Sequence, residues 1–200
     1  MKPLFLIGCM GAGKTTLGRA LEACEAESPM AGIGHRPLRY IDLDEFIERR
    51  RGCSVREIFE AEGEAAFRRL ESEALREVAE ADDVIIGCGG GTPCTPGNME
   101  WMNARGITVR LQASPGVLLR RLLEAQGQRP LLQGMSETEL AGFIDRKQRE
   151  REPWYSQARI TFPSDLLESE EEIAASCAAF RAMTERYLID VKTEKTEDNR

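Results

Sequence analysis

Five short apolar runs recur along the chain, and longer segments with helical spacing separate them. Continuous apolar runs of this length are typical of strands buried on both faces of a sheet. The pattern therefore predicts five strands. They are Leu4 to Ile7, Leu38 to Ile41, Val84 to Ile86, Ile107 to Leu111 and Arg159 to Phe162.

The intervening segments carry the periodicity of amphipathic helices. One apolar stripe follows the spacing i, i+3, i+7, i+8 and i+11 from Phe67 to Val78. A second helix begins at the capping box Ser136-x-x-Glu139. We expect it to stop before Pro153, because the residue that precedes a proline avoids helical geometry. Alternating strands and helices predict an α/β fold of three layers (αβα), with a five-stranded parallel sheet flanked by helices.

Chain length indicates a single domain. The chain has 200 residues, which is about one domain, and we expect that domain to span residues 1–190. Residues 25–36 contain glycine and proline and are expected to form a loop insertion. A closing helix is expected from Glu168 to Leu188, and residues 191–200 have no apolar anchor and are expected to form a disordered tail.

Composition excludes several classes of protein. Apolar residues make up 42% of the chain, which is enough for a packed core, and the net charge is −7. An acidic chain is a poor candidate for binding nucleic acid or an anionic membrane, and no apolar run approaches the length of about 18 residues that a spanning helix needs. Six dispersed cysteines and one histidine give no zinc pattern. We therefore expect a cytoplasmic protein.

The segment from Gly8 to Thr15 matches the phosphate-loop pattern G-x-x-x-x-G-K-[ST] in full. Its glycines allow backbone N–H groups to turn inward around a phosphate chain, and the following helix adds positive charge at its N-terminus. Lys14 is expected to reach the β- and γ-phosphates, and the Thr15 hydroxyl to bind Mg²⁺. A chance glycine turn is the alternative, but a strand before the loop and a helix after it favour nucleotide binding. No guanine-reading Asn-Lys-x-Asp occurs, so the compact size points to a kinase of a small molecule.

Candidate acceptor residues follow the second and third predicted strands. Ligands bind beyond the carboxyl ends of parallel strands, and Asp42 and Asp44 stand there with period-two spacing, which would point both carboxylates the same way. Alternatively, Asp44 caps a helix that starts at Glu45. The triple glycine Gly89-Gly90-Gly91 either allows a backbone to approach a ligand closely or forms a loose turn.

Three arginines complete the set of candidates. Arg68 borders an apolar stripe, and Arg151 lies on the apolar face near the end of its helix, so each either reaches solvent or points into a site. Arg129 lies in a segment between two helices, about residues 122–136, which is expected to act as a mobile lid. An arginine that closes over phosphate would stabilise charge in the transition state.

Taken together, these residues resemble the shikimate kinase family. The motifs that carry the resemblance appear in the order of the family between about residues 3 and 165. They are Gly8-x-x-Gly11-x-Gly13-Lys14-Thr15-Thr16, Asp42-x-Asp44, Phe67-Arg68-x-x-Glu71, Gly89-Gly90-Gly91, Arg129-Pro130-Leu131-Leu132 and Arg151-x-x-x-Tyr155.

The resemblance implies a P-loop kinase fold and transfer of the γ-phosphoryl group of ATP to the 3-hydroxyl of shikimate, with Mg²⁺ as cofactor. It implies that Thr15 binds the metal and that Asp42 supports it through water. Arg129 would be the lid arginine, and Arg121 would stack near adenine. The residues implied for ATP binding are Gly11, Ala12, Gly13, Lys14, Thr15, Thr16, Arg121 and Arg129.

On the acceptor side, the resemblance implies that Asp44 holds the acceptor hydroxyls and draws off the proton. Arg68 and Arg151 would clamp the shikimate carboxylate, since guanidinium forks suit carboxylates. Gly90 would lend its backbone to a substrate hydroxyl, with Gly89 and Gly91 beside it. The implied catalytic residues are Lys14, Asp44 and Arg129.

Two alternatives remain at this point. One is another small-molecule P-loop kinase, such as a gluconate kinase, and the other is a nucleotide-binding regulatory module without turnover. The full set of carboxylate, arginine and glycine motifs favours the shikimate kinase reading. The expected partners are therefore ATP and shikimate, with no nucleic acid or membrane, and the expected oligomeric state is a monomer.

Overall fold

The computed structural model describes residues 2–26, 38–128 and 132–197, along which strands and helices alternate. The strands are β1 (Leu4–Ile7), β2 (Arg39–Asp42), β3 (Val84–Gly87), β4 (Ile107–Gln112) and β5 (Ile160–Pro163). The helices are α1 (Lys14–Ala26), α2 (Leu43–Arg51), α3 (Val55–Val78), α4 (Asn98–Arg105), α5 (Pro115–Glu124), α6 (Glu137–Tyr155) and α7 (Glu170–Glu197). Short 3₁₀ turns lie at Thr92–Cys94 and Gln126–Gln128.

All five strands pair in parallel in the order β2-β3-β1-β4-β5, which confirms the predicted sheet. The central strand β1 shows why the fold has three layers. Its four residues are all buried, and they alternate between two apolar clusters. Leu4 and Leu6 face the cluster that contains residues of α1, α5 and α7, whereas Phe5 and Ile7 face the one that contains residues of α2, α3 and α4. Each face of the sheet is therefore covered by helices.

The parallel arrangement gathers the candidate residues at one edge of the sheet. The loop after β1 carries the phosphate-binding motif, Asp42 ends β2, and the three glycines follow β3. Because parallel strands place their carboxyl ends together, segments that are distant in sequence become neighbours at this edge.

Helix α6 departs from the sequence prediction. It does not stop before Pro153 but continues to Tyr155. A proline lacks the N–H that would bond to the carbonyl one turn earlier. The loss falls in the last turn, and Tyr155 beyond it is only 1% exposed. Burial of its aromatic ring offsets the cost of the missing hydrogen bond.

The end of the chain also differs from the prediction. Helix α7 contains the expected closing helix but extends to Glu197, so residues 191–197 are helical where a disordered tail was expected. Residues 198–200 lie outside the described residues, as do residues 27–37, which include most of the predicted insertion. Of the predicted lid, residues 129–131 also lie outside them, and these include Arg129.

Candidate functional site

The phosphate loop connects β1 to α1 and wraps around the side chain of Lys14. Gly8, Gly11 and Gly13 have φ values of 148°, 81° and 88°, a region that L side chains rarely adopt. The Lys14 Nζ atom donates hydrogen bonds to the carbonyl oxygens of Gly8 (2.9 Å) and Cys9 (3.0 Å). Burial lowers the pKa of Lys14. A cation is therefore held inside a loop of turned peptides, at the N-terminus of a helix.

Asp42 links this loop to the end of β2. Its Oδ2 atom accepts hydrogen bonds from the Thr15 hydroxyl (3.1 Å) and the Tyr40 hydroxyl (3.2 Å). Its Oδ1 atom accepts from the backbone N–H groups of Asp44 (3.1 Å) and Glu45 (3.4 Å) and so caps α2. The helix cap is therefore Asp42, and the alternative in which Asp44 caps a helix that starts at Glu45 is wrong.

The expected geometry of the two carboxylates was also wrong in one respect. Strand β2 ends at Asp42 and α2 begins at Leu43, so Asp44 lies on a helix and not at the second position of an extended pair. Both carboxylates nevertheless line the same cleft. Burial and the neighbouring Asp42 and Glu71 raise the pKa of Asp44 to about 6, against the opposing effect of Lys14. A carboxyl with this pKa can exchange a proton near neutral pH.

The three glycines after β3 are places of close approach. A Cβ atom on Gly90 would lie 2.4 Å from Arg151 Nη1, and one on Gly91 would lie 2.6 Å from Arg68 Nη2. A Cβ on Gly89 would lie 2.9 Å from a carboxylate oxygen of Glu71. None of the three has a positive φ, so the absence of a side chain matters here for space alone. The loose-turn alternative does not account for three successive contacts with charged side chains.

Arg68 is held by a buried carboxylate. Its Nη1 atom donates to Glu71 Oε2 at 2.9 Å, and Glu71 is only 1% exposed. Glu71 Oε1 in turn accepts from the hydroxyl of Thr92 at 2.6 Å. The guanidinium also lies within 6 Å of the rings of Phe59 and Phe67, at 5.8 and 5.4 Å from their centroids. Arg68 is thus fixed beside Gly91 and does not extend freely into solvent.

Arg121 joins the phosphate loop to the segment after β5. Its Nη1 atom donates to the carbonyl oxygens of Gly11 (3.2 Å) and Ser164 (3.0 Å), and its Nη2 atom donates to that of Asp165 (2.8 Å). These contacts orient its guanidinium plane at one end of the cleft, where it belongs to the wall. Glu168 adds an ion pair with Arg121 at 3.5 Å.

The site is a cleft of about 790 Å³ at the carboxyl edge of the sheet. Its wall contains most of the predicted site residues, namely Gly11, Gly13, Lys14, Thr15, Thr16, Asp42, Asp44, Gly89, Gly90, Arg121 and Arg151. Ala12 is buried under the loop, and Arg68 and Gly91 meet each other beside the cleft. Sequence reasoning assigned no role to Thr92, Tyr155 or Glu71. The last two occur in the quoted motifs, but nothing in the pattern reveals their partners.

Oxygen donors at the phosphate loop suit a magnesium ion. Mg²⁺ is commonly held by one or two carboxylates together with substrate phosphates and water, and Thr15 and Asp42 supply a hydroxyl and a carboxylate side by side. Among residues 2–26, 38–128 and 132–197, no group of three or more His, Cys, Asp or Glu side chains is placed to hold a metal ion.

In the same ranges no helix has the length and apolar character needed to cross a membrane.

Comparison with known proteins identifies similar chains. The model of the shikimate kinase family matches residues 10–182. The chain is 46% identical over 181 residues to a shikimate kinase of Phocaeicola vulgatus, a match that covers 90% of this chain and 97% of the relative. The crystal structure of shikimate kinase from Bacteroides thetaiotaomicron is similar with a TM-score of 0.84 and 43% identity, covering 92% of this chain and 98% of that one. Shikimate kinase from Acinetobacter baumannii in complex with shikimate gives a TM-score of 0.73 at 27% identity, with 93% and 94% covered.

Proposed function

This chain belongs to the shikimate kinase family, and we propose on that premise that it transfers the γ-phosphoryl group of ATP to the 3-hydroxyl of shikimate. The products are shikimate 3-phosphate and ADP. The observation that carries the proposal is the convergence of Lys14, Asp44 and Arg151 on one cleft. Phosphoryl transfer requires chiefly that the reactants be positioned and their charge neutralised, and these residues supply a phosphate-binding cation, an acceptor carboxylate and a guanidinium.

On the nucleotide side, Lys14 binds the β- and γ-phosphates with the backbone N–H groups of residues 11–16. Thr15 and Asp42 are the residues that would hold Mg²⁺, Asp42 through water. When bound, the metal neutralises charge that develops on the phosphate oxygens. Arg121 contacts the nucleotide at the adenine end of the cleft. Arg129, known here from the sequence alone, is proposed as the arginine of a closing lid.

On the acceptor side, Arg68 and Arg151 bind the carboxylate of shikimate from two directions. Asp44 accepts a hydrogen bond from the reacting hydroxyl and takes its proton as the oxygen attacks phosphorus. The backbone of residues 89–91 lies between these groups and borders the bound ring. Its glycines permit the approach, because any larger residue would displace a guanidinium or a carboxylate.

The activity is tested by incubating the purified protein with ATP, Mg²⁺ and shikimate and examining the products by mass spectrometry, with gluconate in a parallel reaction. We expect a species one phosphoryl group heavier than shikimate, and no product from gluconate. Phosphorylated gluconate would assign the chain to a different acceptor. ATP binding without any product would indicate a regulatory module.

We further propose that the enzyme acts in the cytoplasm as a monomer. All six cysteines are free thiols in the structure, which accords with a reducing compartment. Size-exclusion chromatography with light scattering at two protein concentrations would determine the oligomeric state.

Arg151→Ala is expected to raise the KM for shikimate about a hundredfold and to change the KM for ATP little. A charge-assisted hydrogen bond to a carboxylate contributes roughly 1.5–3 kcal/mol, and the ligand would lose it. Arg149→Ala is the matched control, because Arg149 is on the same helix but 79% exposed and paired with Asp145. Steady-state kinetics on both variants measure the KM for shikimate. Equal KM values in the two variants would show that Arg151 does not bind the carboxylate.

Gly90→Ala is expected to impair shikimate binding without unfolding the protein. The added Cβ would lie 2.4 Å from Arg151 Nη1, which is the far end of a flexible side chain and can move aside at small cost. The displaced guanidinium would no longer meet the substrate, so the shikimate KM should rise at least tenfold while the melting temperature stays close to that of the wild type. Gly116→Ala is the control, since a Cβ there meets nothing within 4 Å. A normal KM in Gly90→Ala would contradict the role of close approach at this glycine.

A further inference from the structure

Tyr155 is the last residue of α6 and lies one helical turn after Arg151. Its phenol hydroxyl donates a hydrogen bond to the carbonyl oxygen of Gly90 at 2.8 Å. The same hydroxyl lies beside the Arg151 guanidinium and the Cys9 thiol of the phosphate loop. The acceptor arginine, the glycine loop and the phosphate loop therefore meet at one buried side chain that does not itself line the cleft.

The ring of Tyr155 is held in place from the β4 side. The guanidinium of Arg110 lies over it, 5.8 Å from the ring centroid. Arg110 is oriented by two hydrogen bonds to Glu152 on α6, at 2.8 and 2.7 Å. Burial raises the pKa of Tyr155, so the hydroxyl keeps its proton at neutral pH and remains a donor. The packing of the ring therefore fixes the position of the hydroxyl, and burial keeps the hydroxyl protonated.

The bond to Gly90 has a consequence for the neighbouring peptide. In a trans peptide the carbonyl and the following N–H point in opposite directions, and no cis peptide occurs in the described residues. A carbonyl of Gly90 held by Tyr155 therefore directs the N–H of Gly91 away from Tyr155. A glycine peptide is free to rotate because no side chain restrains it, and the phenol supplies that restraint. A Cβ on Gly90 would be 3.5 Å from the phenol oxygen as well as 2.4 Å from Arg151 Nη1, so the two groups border the same space.

We propose that Tyr155 is a positioning residue for the acceptor, which holds the Gly90–Gly91 peptide beside Arg151 in the orientation that binds shikimate. The inference rests on the proposed function and adds a residue that contacts neither substrate. The continuation of α6 through Pro153 is what brings Tyr155 to this place. A helix that ended before the proline would leave the glycine loop without its donor.

Tyr155→Phe removes the hydroxyl and keeps the buried ring. We expect the shikimate KM to rise about tenfold, the effect of leaving the half-buried carbonyl of Gly90 without its donor. The kcat value should change less than about threefold and the KM for ATP less than about twofold, because Lys14 does not use the phenol. Tyr187→Phe, on α7 and away from the cleft, is the matched control and should leave all three values unchanged.

A second variant distinguishes a local effect at Tyr155 from a general loosening of the fold. Arg110→Met removes the cation over the ring, and we expect it to raise the shikimate KM about threefold alone and not at all when combined with Tyr155→Phe. An unchanged shikimate KM in folded Tyr155→Phe would overturn the proposal. So would a parallel rise in both KM values with a lower melting temperature, which would indicate general loosening. If the wild type does not phosphorylate shikimate, the proposed function itself fails, and that outcome is seen before any variant is made.

Discussion

Lys14→Met is expected to lower kcat by about a thousandfold. Preorganised charge near the transferring phosphoryl group is the main contribution that a kinase makes to the reaction, and loss of one such donor costs roughly 10²–10³ in rate. The Lys14 Nζ atom is fixed by the carbonyl oxygens of Gly8 and Cys9 at 2.9 and 3.0 Å. These bonds hold the ammonium at the phosphate loop, and a methionine of similar length cannot replace its charge.

The stability of the Lys14→Met variant should not fall. Burial lowers the pKa of Lys14, which means that the folded protein holds the charged form less favourably than water does. A neutral side chain removes that cost, so we expect a melting temperature equal to or above that of the wild type. Lys147→Met is the control, because Lys147 forms only a surface ion pair with Glu150, which contributes little. Single-turnover kinetics and thermal melts on both variants test the point, and more than a tenth of wild-type kcat in Lys14→Met would contradict it.

The elements that the sequence predicted well are those whose cause is local. The four residues of β1 are all apolar because the strand is buried on both faces, and the glycines after it recur because the loop needs positive φ. Such requirements act on a few adjacent positions and therefore leave a readable pattern. The parallel sheet then followed from alternation, and the candidate residues at the strand ends followed from the sheet.

The features that could not be predicted depend on partners far away in the chain. Asp42 and Asp44 are both good helix caps by residue type, and only the observed start of α2 at Leu43 decides between them. The local rule for Pro153 was overridden because Tyr155 gains a buried position and a hydrogen bond to Gly90, 65 residues earlier. No pattern within α6 records that partner.

The two arginines proposed to clamp the acceptor illustrate the same limit. The sequence alone leaves two alternatives for Arg68 and for Arg151: a side chain in solvent or one that points into a site. For Arg68 the structure excludes a freely solvated side chain, since Glu71 is 1% exposed, bonds to both Arg68 and Thr92 and so fixes the guanidinium. The pKa of Asp44 is likewise a property of the assembled site, because its causes are burial, the adjacent Asp42 and the distant Glu71 on α3.

Asp44→Asn is expected to lower the catalytic rate but to raise the stability of the fold. We expect kcat to fall about a hundredfold to a thousandfold, because an amide cannot take the proton of the acceptor hydroxyl. In the wild type, kcat/KM for shikimate should fall as the pH drops below about 6, the pKa of Asp44. The variant should lack this dependence. Glu45→Gln is the control, since Glu45 is the exposed neighbour on α2 and pairs with Arg19 at the surface.

The effect of Asp44 on stability follows from the same raised pKa. The folded protein binds the Asp44 proton more tightly than the unfolded chain, whose value is near 3.8, so ionisation lowers stability as the pH rises from about 4 to about 6. Above pH 6 the cost is complete, and a shift of this size corresponds to at most about 3 kcal/mol. Contact with water in the cleft reduces it, so we expect Asp44→Asn to raise the free energy of unfolding by about 1–2 kcal/mol at pH 7. At pH 4 the two proteins should differ little. Urea unfolding at both pH values measures the difference, and a variant less stable than the wild type at pH 7 would show that Asp44 is held ionised by interactions stronger than its burial.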